Sequence, residues 1–212
     1  MRVSDSSRVL FVHVPKNGGS SVDWTFDHEV PDARRISERG RHSTYRKLLR
    51  TEPGLADYWS FGFVRNPWAR MVSWFSMMQN IFANETAGRP RTLDKLERKP
   101  GVWEPVRPIA TDFETFVLEG TRTVPRFARA QVDWLETRKG KRVDFIGRVE
   151  NFHADFAVAR EQLGLPPTQE VPRVNKSRHG HYSDYYTDET RKRVAEVYAR
   201  DISEFGYTFD SD

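Results

Sequence analysis

A short glycine-containing segment near the start of the chain combines the groups that bind a phosphate or a sulfate. It directly follows an apolar run and consists of Pro15, Lys16, Asn17, Gly18, Gly19, Ser20 and Ser21. Glycine lets a ligand approach the backbone closely, and the exposed N–H groups at the start of a helix attract negative charge. Two hydroxyls and one ammonium group complete the donor set. The segment predicts an anion-binding turn between a strand and a helix; a turn with an incidental lysine is the alternative.

The order of residues in this segment differs from that of the Walker nucleotide-binding loop. In the Walker loop a lysine follows the second glycine and stands immediately before serine or threonine. Here Lys16 comes first, and no Gly-Lys-Ser sequence follows it. The difference argues against an ATP or GTP hydrolase and against a P-loop-like nucleotide kinase, which we keep as an alternative function.

A second segment places an arginine and a serine on either side of a predicted strand-to-helix junction. Arg65 closes the predicted strand, Pro67 opens the helix, and Ser73 lies two turns further along it, away from the apolar stripe. A guanidinium group supplies charge and a fork of donors, and a hydroxyl supplies a neutral donor, so the pair can hold one phosphate from two sides. An ordinary ion pair for Arg65 and a surface position for Ser73 form the alternative interpretation.

Both segments sit in a pattern of alternating strands and helices. Short strands are predicted by the apolar runs at residues 9–14, 61–64 and 143–146. Helices follow, with Asn66 and Thr187 as predicted N-caps and a further helix beginning near Asn151. Gly164 and Gly206 are predicted to end the last two helices.

This alternation predicts an α/β fold with a mostly parallel central sheet flanked by helices. The 212 residues correspond to one domain, 1–212. Residues 83–108 contain four prolines and many charges. We therefore expect an irregular excursion over the surface on the substrate side there.

Composition excludes several classes of protein. The chain has no cysteine, which excludes disulfides, thiolate metal sites and cysteine nucleophiles. Lysine and arginine number 34 against 30 acidic residues, and the net charge of +4 permits an anionic ligand without requiring a nucleic acid. No apolar run is long enough to span a bilayer or to form a convincing signal peptide, so the default expectation is a cytoplasmic protein.

Together the two segments resemble the two signatures of sulfotransferases that use 3′-phosphoadenosine 5′-phosphosulfate (PAPS). The resemblance is closest to the carbohydrate-type branch, sulfotransferase family 2, and to its soluble bacterial-type members. Residues 144–152 and 175–207 fit the same family. The resemblance implies a P-loop-like sulfotransferase fold and transfer of a sulfuryl group to a hydroxyl or amine. It also implies release of 3′-phosphoadenosine 5′-phosphate (PAP) and no metal ion.

The resemblance also implies roles for individual residues. Lys16 acts catalytically beside the bridging and 5′-phosphate oxygens, and Arg65 with Ser73 holds the 3′-phosphate. Arg148 contacts the nucleotide from a strand end. The other implied cofactor-binding residues are Asn17, Gly18, Gly19, Ser20 and Ser21 in the first segment, with Ser177 and Arg178 in a basic loop before the last helix. Asn17 departs from the usual threonine, which weakens only the expected contact of its side chain.

The catalytic base is predicted to be a histidine, because an unperturbed imidazole titrates near neutral pH. His42 is favoured among the six histidines because it lies between the two cofactor segments, where carbohydrate sulfotransferases often present one. Glu29 and Glu38 are the rival bases, since some branches use a glutamate in this region.

The acceptor is less defined by the sequence. A carbohydrate, a glycolipid or a small molecule is expected as the partner, with no nucleic acid and no membrane span. Trp103, in the 83–108 segment, can stack on a sugar or an aromatic ring or anchor the segment to the core. A non-catalytic domain that binds anions or nucleic acids is the remaining alternative; its affinity would fall steeply with salt.

Overall fold

The computed structural model describes residues 1–36, 42–97, 100–167 and 180–210. These residues form two compact units, one within Met1–Arg65 and Gln131–Lys176 and the other within Asn66–Ala130 and Ser177–Asp212. The prediction of a single domain over 1–212 stays a prediction. Among the described helices, none combines the length and apolar character that a membrane span requires.

The elements are numbered in chain order. The strands are β1 (Arg2–Ser4), β2 (Val9–Phe11), β3 (Arg34–Arg35), β4 (Trp59–Val64) and β5 (Phe145–Arg148). The first six helices are α1 (Gly19–Glu29), α2 (Tyr45–Thr51), α3 (Pro67–Thr86), α4 (Pro90–Glu97), α5 (Pro100–Trp103) and α6 (Phe113–Leu118). The others are α7 (Gly120–Thr123), α8 (Pro125–Ala128), α9 (Val132–Leu135), α10 (Phe152–Gln162), α11 (Asp188–Val197) and α12 (Ala199–Phe205). Short 3₁₀ segments lie at Pro53–Asp57, Glu104–Ile109, Val149–Asn151 and Tyr182–Tyr185.

The first unit contains the sheet, in the order β3-β1-β2-β4-β5. Strands β2, β4 and β5 are parallel to one another, whereas β1 pairs antiparallel with both β2 and β3. The α/β fold class is confirmed. The antiparallel edge was not predicted, because the three residues of β1 carry little apolar pattern and Arg2 is buried by ion pairs with Asp23 and Asp27.

Helices cover both faces of this sheet. On one face Phe11 and Phe61 belong to a buried cluster with Phe26 of α1 and Phe156 of α10. On the other face Gly62 of β4 lies against the Leu135 side chain of α9, where any Cβ would overlap it. The absence of a side chain at Gly62 therefore lets α9 approach the strand closely.

The strand predicted at residues 143–146 is β5, and it begins two residues later than predicted, at Phe145. The backbone N–H of Val143 donates to the Leu135 carbonyl at 3.0 Å. The Asp144 carboxylate accepts from both the N–H and the hydroxyl of Ser60, each at 2.7 Å. Since these groups are already paired elsewhere, the parallel ladder with β4 begins at Phe145.

The predicted helix ends are confirmed. The Asn66 side chain accepts from the N–H groups of Trp68 and Ala69 at the start of α3. Thr187 forms a capping box with Thr190 at the start of α11. Gly164 and Gly206 adopt φ angles of 70° and 64°, the left-handed conformation that glycine adopts without strain. The last helix differs from the prediction in one respect, since it divides at Tyr198 into α11 and α12.

The prediction of an irregular excursion at residues 83–108 is wrong over the described part of that range. Helix α3 continues to Thr86, and α4, α5 and a 3₁₀ segment follow. Pro90 and Pro100 open the two helices, and Pro105 stands in the first turn of the 3₁₀ segment. Proline is compatible with the first turn of a helix because the N–H it lacks has no helical partner there. These prolines therefore start helices instead of breaking them.

Candidate active site

Three cationic side chains follow the carboxyl ends of the three adjacent parallel strands. Lys16 follows β2, Arg65 follows β4, and Arg148 is the last residue of β5. The register pairs Val64 with Arg148, and the Asn17 side chain reaches the end of β4. Open α/β sheets bind their ligands at this edge. The structure thus brings together three of the residues that the sequence singled out.

The loop after β2 leaves the positive end of α1 available to an anion. Lys16 and Gly18 both adopt left-handed backbone, with φ of 70° and 73°. No described side chain caps α1, and its first turn contains no acidic residue. The helix start therefore attracts negative charge. The N–H of Ser21 donates to the Gly18 carbonyl at 3.0 Å, so this one donor is used inside the loop.

The two glycines of the loop are also required by packing within the protein. A Cβ on Gly18 would lie 3.0 Å from the Phe152 ring. A Cβ on Gly19 would overlap the imidazole of His13. His13 is buried, so it cannot move aside into solvent. Close approach of a ligand is therefore not the only reason for glycine here.

We expect Gly19→Ala to lower the free energy of unfolding by about 2 kcal/mol, because overpacking a buried contact strains its neighbours. Gly54→Ala is the matched control, since no described atom lies within 4 Å of a Cβ built there. Urea unfolding of both variants checks the expectation. Equal stability of the two variants would show that the His13 side chain accommodates the methyl group.

The Asn17 side chain is bound by the protein itself. Its Nδ2 donates to the Phe63 carbonyl and to Oε1 of Gln131, both at 2.7 Å. Asn17 is 1% exposed, which leaves its side chain little access to a ligand. The residue fastens the loop to β4, and this position agrees with the weaker expectation for its side chain.

Gln131 completes a clamp that the sequence did not reveal. Its Oε1 accepts from the Arg65 N–H at 2.8 Å, and its Nε2 donates to the Arg65 carbonyl at 2.8 Å. With the bond from Asn17, one fully buried amide joins the β2 loop to the backbone of Arg65. No sequence motif surrounds this glutamine. Its position as a polar residue between Ala130 and Val132 is a weak signal that did not predict the clamp.

One ring nitrogen of His42 lies near a backbone carbonyl. Its Nδ1 lies 3.2 Å from the backbone carbonyl of His13. A carbonyl accepts only, so in the neutral ring Nδ1 carries the proton and Nε2 keeps the lone pair. The residue is exposed. His42 therefore has the tautomer and the access that a general base needs.

His13, whose carbonyl contacts the His42 ring, is itself anchored in the core. The His13 and His42 rings meet edge to face with centroids 4.5 Å apart. His13 Nδ1 lies 3.3 Å from the Asp23 carboxylate, which also accepts from Nε of Arg2 at 3.2 Å. These contacts form a buried chain from β1 through α1 to the histidine pair. They fix the carbonyl that orients the His42 ring.

A model of the sulfotransferase family matches residues 1–208, almost the whole chain. The chain belongs to the sulfotransferase family. The resemblance to family 2 that the two segments carried is thereby confirmed, and with it membership in a family of sulfuryl-transferring enzymes. Searches of curated proteins and of solved structures returned no significant match.

The residues of this sulfotransferase fit a donor that carries phosphate and sulfate groups. Three cationic residues follow the strand ends at this edge, no described side chain caps the start of α1, and the left-handed backbone at Lys16 and Gly18 shapes the loop. Arg65 and Lys16 are partly exposed, so their side chains remain within reach of a ligand. Clustered N–H and cationic groups of this kind suit an anion.

The rival bases occupy different positions in the sulfotransferase. Glu29 lies at the last residue of α1, roughly 15 Å of helix from the loop. Its carboxylate binds both terminal nitrogens of Arg160, at 3.1 and 2.7 Å. Arg160 is buried, so the Glu29 carboxylate is engaged in an ion pair with a residue of the protein interior. Glu38 lies outside the described residues.

Ser73, Ser177 and Arg178 are the remaining predicted cofactor-binding residues. Ser73 belongs to the second unit, on α3, and is 5% exposed, so the alternative interpretation of a surface position is wrong. The first turns of α3 are buried nearly all round, and this left no solvent face for the residue. Ser177 and Arg178 lie outside the described residues.

Proposed function

We propose that this sulfotransferase moves the sulfuryl group of PAPS to a hydroxyl or amine of a carbohydrate, glycolipid or small-molecule acceptor. The observation that supports this most directly is the edge of the sheet where Lys16, Arg65 and Arg148 follow three parallel strands. The exposed imidazole of His42, oriented through Nδ1 on the His13 carbonyl, belongs to the same unit. Anion-binding groups and a base are the two requirements of sulfuryl transfer.

In this proposal the loop after β2 binds the 5′-phosphosulfate, and Arg65 binds the 3′-phosphate. The N–H groups of Gly18, Gly19 and Ser20 and the hydroxyls of Ser20 and Ser21 serve the first group, as the family resemblance implies. Arg148 contacts the nucleotide, and Ser73, Ser177 and Arg178 are proposed to complete the 3′-phosphate site. PAPS, when bound, supplies the transferable sulfuryl group and leaves as PAP.

Each protein group then has a separate task in the reaction. Nε2 of His42 accepts the proton of the attacking hydroxyl, while Nδ1 keeps the ring oriented on the His13 carbonyl. The Lys16 ammonium group offsets negative charge that develops on the phosphate side of the breaking bond. Gln131 holds the Arg65 backbone, so the guanidinium group starts from a fixed position. The proposal requires no metal ion.

Turnover with PAPS tests this function directly. The protein is incubated with PAPS and a panel of sugars, glycolipids and phenols, and PAP release and acceptor mass are followed together. A sulfated product formed with equimolar PAP is the expected result. Parallel incubation with ATP and Mg²⁺ tests the kinase alternative; phosphorylated product there, with none from PAPS, would overturn the proposal.

A further inference from the structure

The second unit contains a cavity that no step of the proposed reaction uses. Its volume is about 360 Å³, within the range of pockets that bind small organic molecules. It lies beside α3, α5 and α8. The residues around it are Trp74, Met78, Gly101, Val102, Trp103, Pro105, Val106, Thr123, Val124, Pro125, Arg126 and Phe127.

The wall of this cavity is mostly apolar and aromatic. Trp74, Trp103 and Phe127 contribute three rings, and Trp74 meets Phe127 edge to face with centroids 5.1 Å apart. Met78 and Val106 add aliphatic surface, and both are buried. Such a wall favours the flat or aliphatic body of an organic ligand.

The wall includes donors that lack an acceptor among the described residues, and Trp74 and Arg126 supply two of them. The indole N–H of Trp74 is buried, and no described group accepts from it. Buried polar groups are normally paired, so an orphaned donor calls for a partner from outside. Arg126 makes no ion pair or hydrogen bond with any described residue. Although this residue is more than a third exposed, desolvation by its neighbours lowers the pKa of its guanidinium group.

A negatively charged hydrogen-bond acceptor would therefore pair with both the Trp74 N–H and the Arg126 guanidinium group. We propose that the cavity binds a small organic anion, with an apolar or aromatic body against the rings and an acidic group facing Arg126 and the Trp74 N–H. This proposal does not rest on the proposed function.

Three naphthalene probes of similar shape test the charge requirement on the full chain. They are 2-naphthoate, 2-naphthalenemethanol and 2-naphthylmethylammonium, each titrated by calorimetry. We expect 2-naphthoate to bind at least about tenfold more tightly than the alcohol and the ammonium compound to bind most weakly, since bonds to charged groups are the stronger ones. Binding of the alcohol or the ammonium compound as tight as that of 2-naphthoate would overturn the proposal, as would no binding of any probe.

Two variants locate the site. Arg126→Gln is expected to remove the preference for 2-naphthoate, while Arg122→Gln, an exposed arginine paired with Glu119, is expected to keep it. Trp74→Phe keeps the ring and removes the N–H, and it is expected to weaken 2-naphthoate more than the alcohol. An unchanged preference in Arg126→Gln would overturn the assignment. Separate titration with PAP distinguishes the two proposals, because binding of PAP without 2-naphthoate contradicts only this one.

Discussion

We expect His42→Ala to lower turnover at least about a hundredfold while leaving the affinity for PAP unchanged, because a positioned general base contributes on the order of a hundredfold to ten-thousandfold. The Nδ1 contact with the His13 carbonyl leaves Nε2 as the basic atom, and alanine removes both. The measurement is PAP release from PAPS with a saturating acceptor, together with a calorimetric titration of PAP.

His28→Ala is the matched control for this variant. Like His42, the His28 ring is exposed, with Nδ1 near a backbone carbonyl, here that of Trp24 at 2.9 Å. It lies in the last turn of α1, away from the loop. We expect turnover of His28→Ala to equal that of the unmodified protein. Normal turnover of His42→Ala would end its assignment as the base.

Replacement of Gln131 by methionine is expected to lower the free energy of unfolding by about 3 kcal/mol or more. Methionine has a similar shape but leaves the Asn17 amide and the N–H and carbonyl of Arg65 without their buried partner. Each unsatisfied buried group costs about 1–3 kcal/mol. The affinity for PAP is expected to fall at least about tenfold, because the loop and the Arg65 backbone lose their common anchor. Urea unfolding and calorimetry measure the two effects.

Gln79→Met serves as the control for Gln131→Met. Gln79 is an exposed glutamine whose Nε2 donates to one backbone carbonyl, that of Ala110 at 2.6 Å. We expect this change to cost less than about 1 kcal/mol and to leave PAP affinity unchanged. If Gln131→Met unfolds at the same urea concentration as Gln79→Met, the clamp does not stabilise the site.

Features with local causes could be predicted from the sequence. Asn66 caps α3 and Thr187 caps α11 through bonds to N–H groups within three residues, so the neighbouring sequence suffices. Gly206 likewise ends its helix because a left-handed residue is needed there. The placement of Lys16 and Arg65 at strand ends followed from the apolar runs before them.

Features with distant causes could not be predicted. β1 is a strand because Val3 pairs with Arg34 of β3 as well as with Leu10 of β2, and no local pattern specifies these partners. Ser73 is buried because every residue in the first turns of α3, Pro67–Trp74, is buried. Gln131 has its partners 66 and 114 residues away, so only the folded chain reveals its role. Prolines at residues 90–108 were ambiguous, since proline both ends helices and starts them.

Selective binding of a 3′-phosphorylated nucleotide is the central claim, and calorimetric titration tests it most directly. PAP, AMP and ATP are titrated into the unmodified protein, into Arg65→Ala and into Arg50→Ala, an exposed arginine of α2. We predict that PAP binds at least about tenfold more tightly than AMP or ATP, that Arg65→Ala abolishes the preference and that Arg50→Ala keeps it. Equal affinity for the three nucleotides, or an unchanged preference in Arg65→Ala, would contradict the proposed donor site.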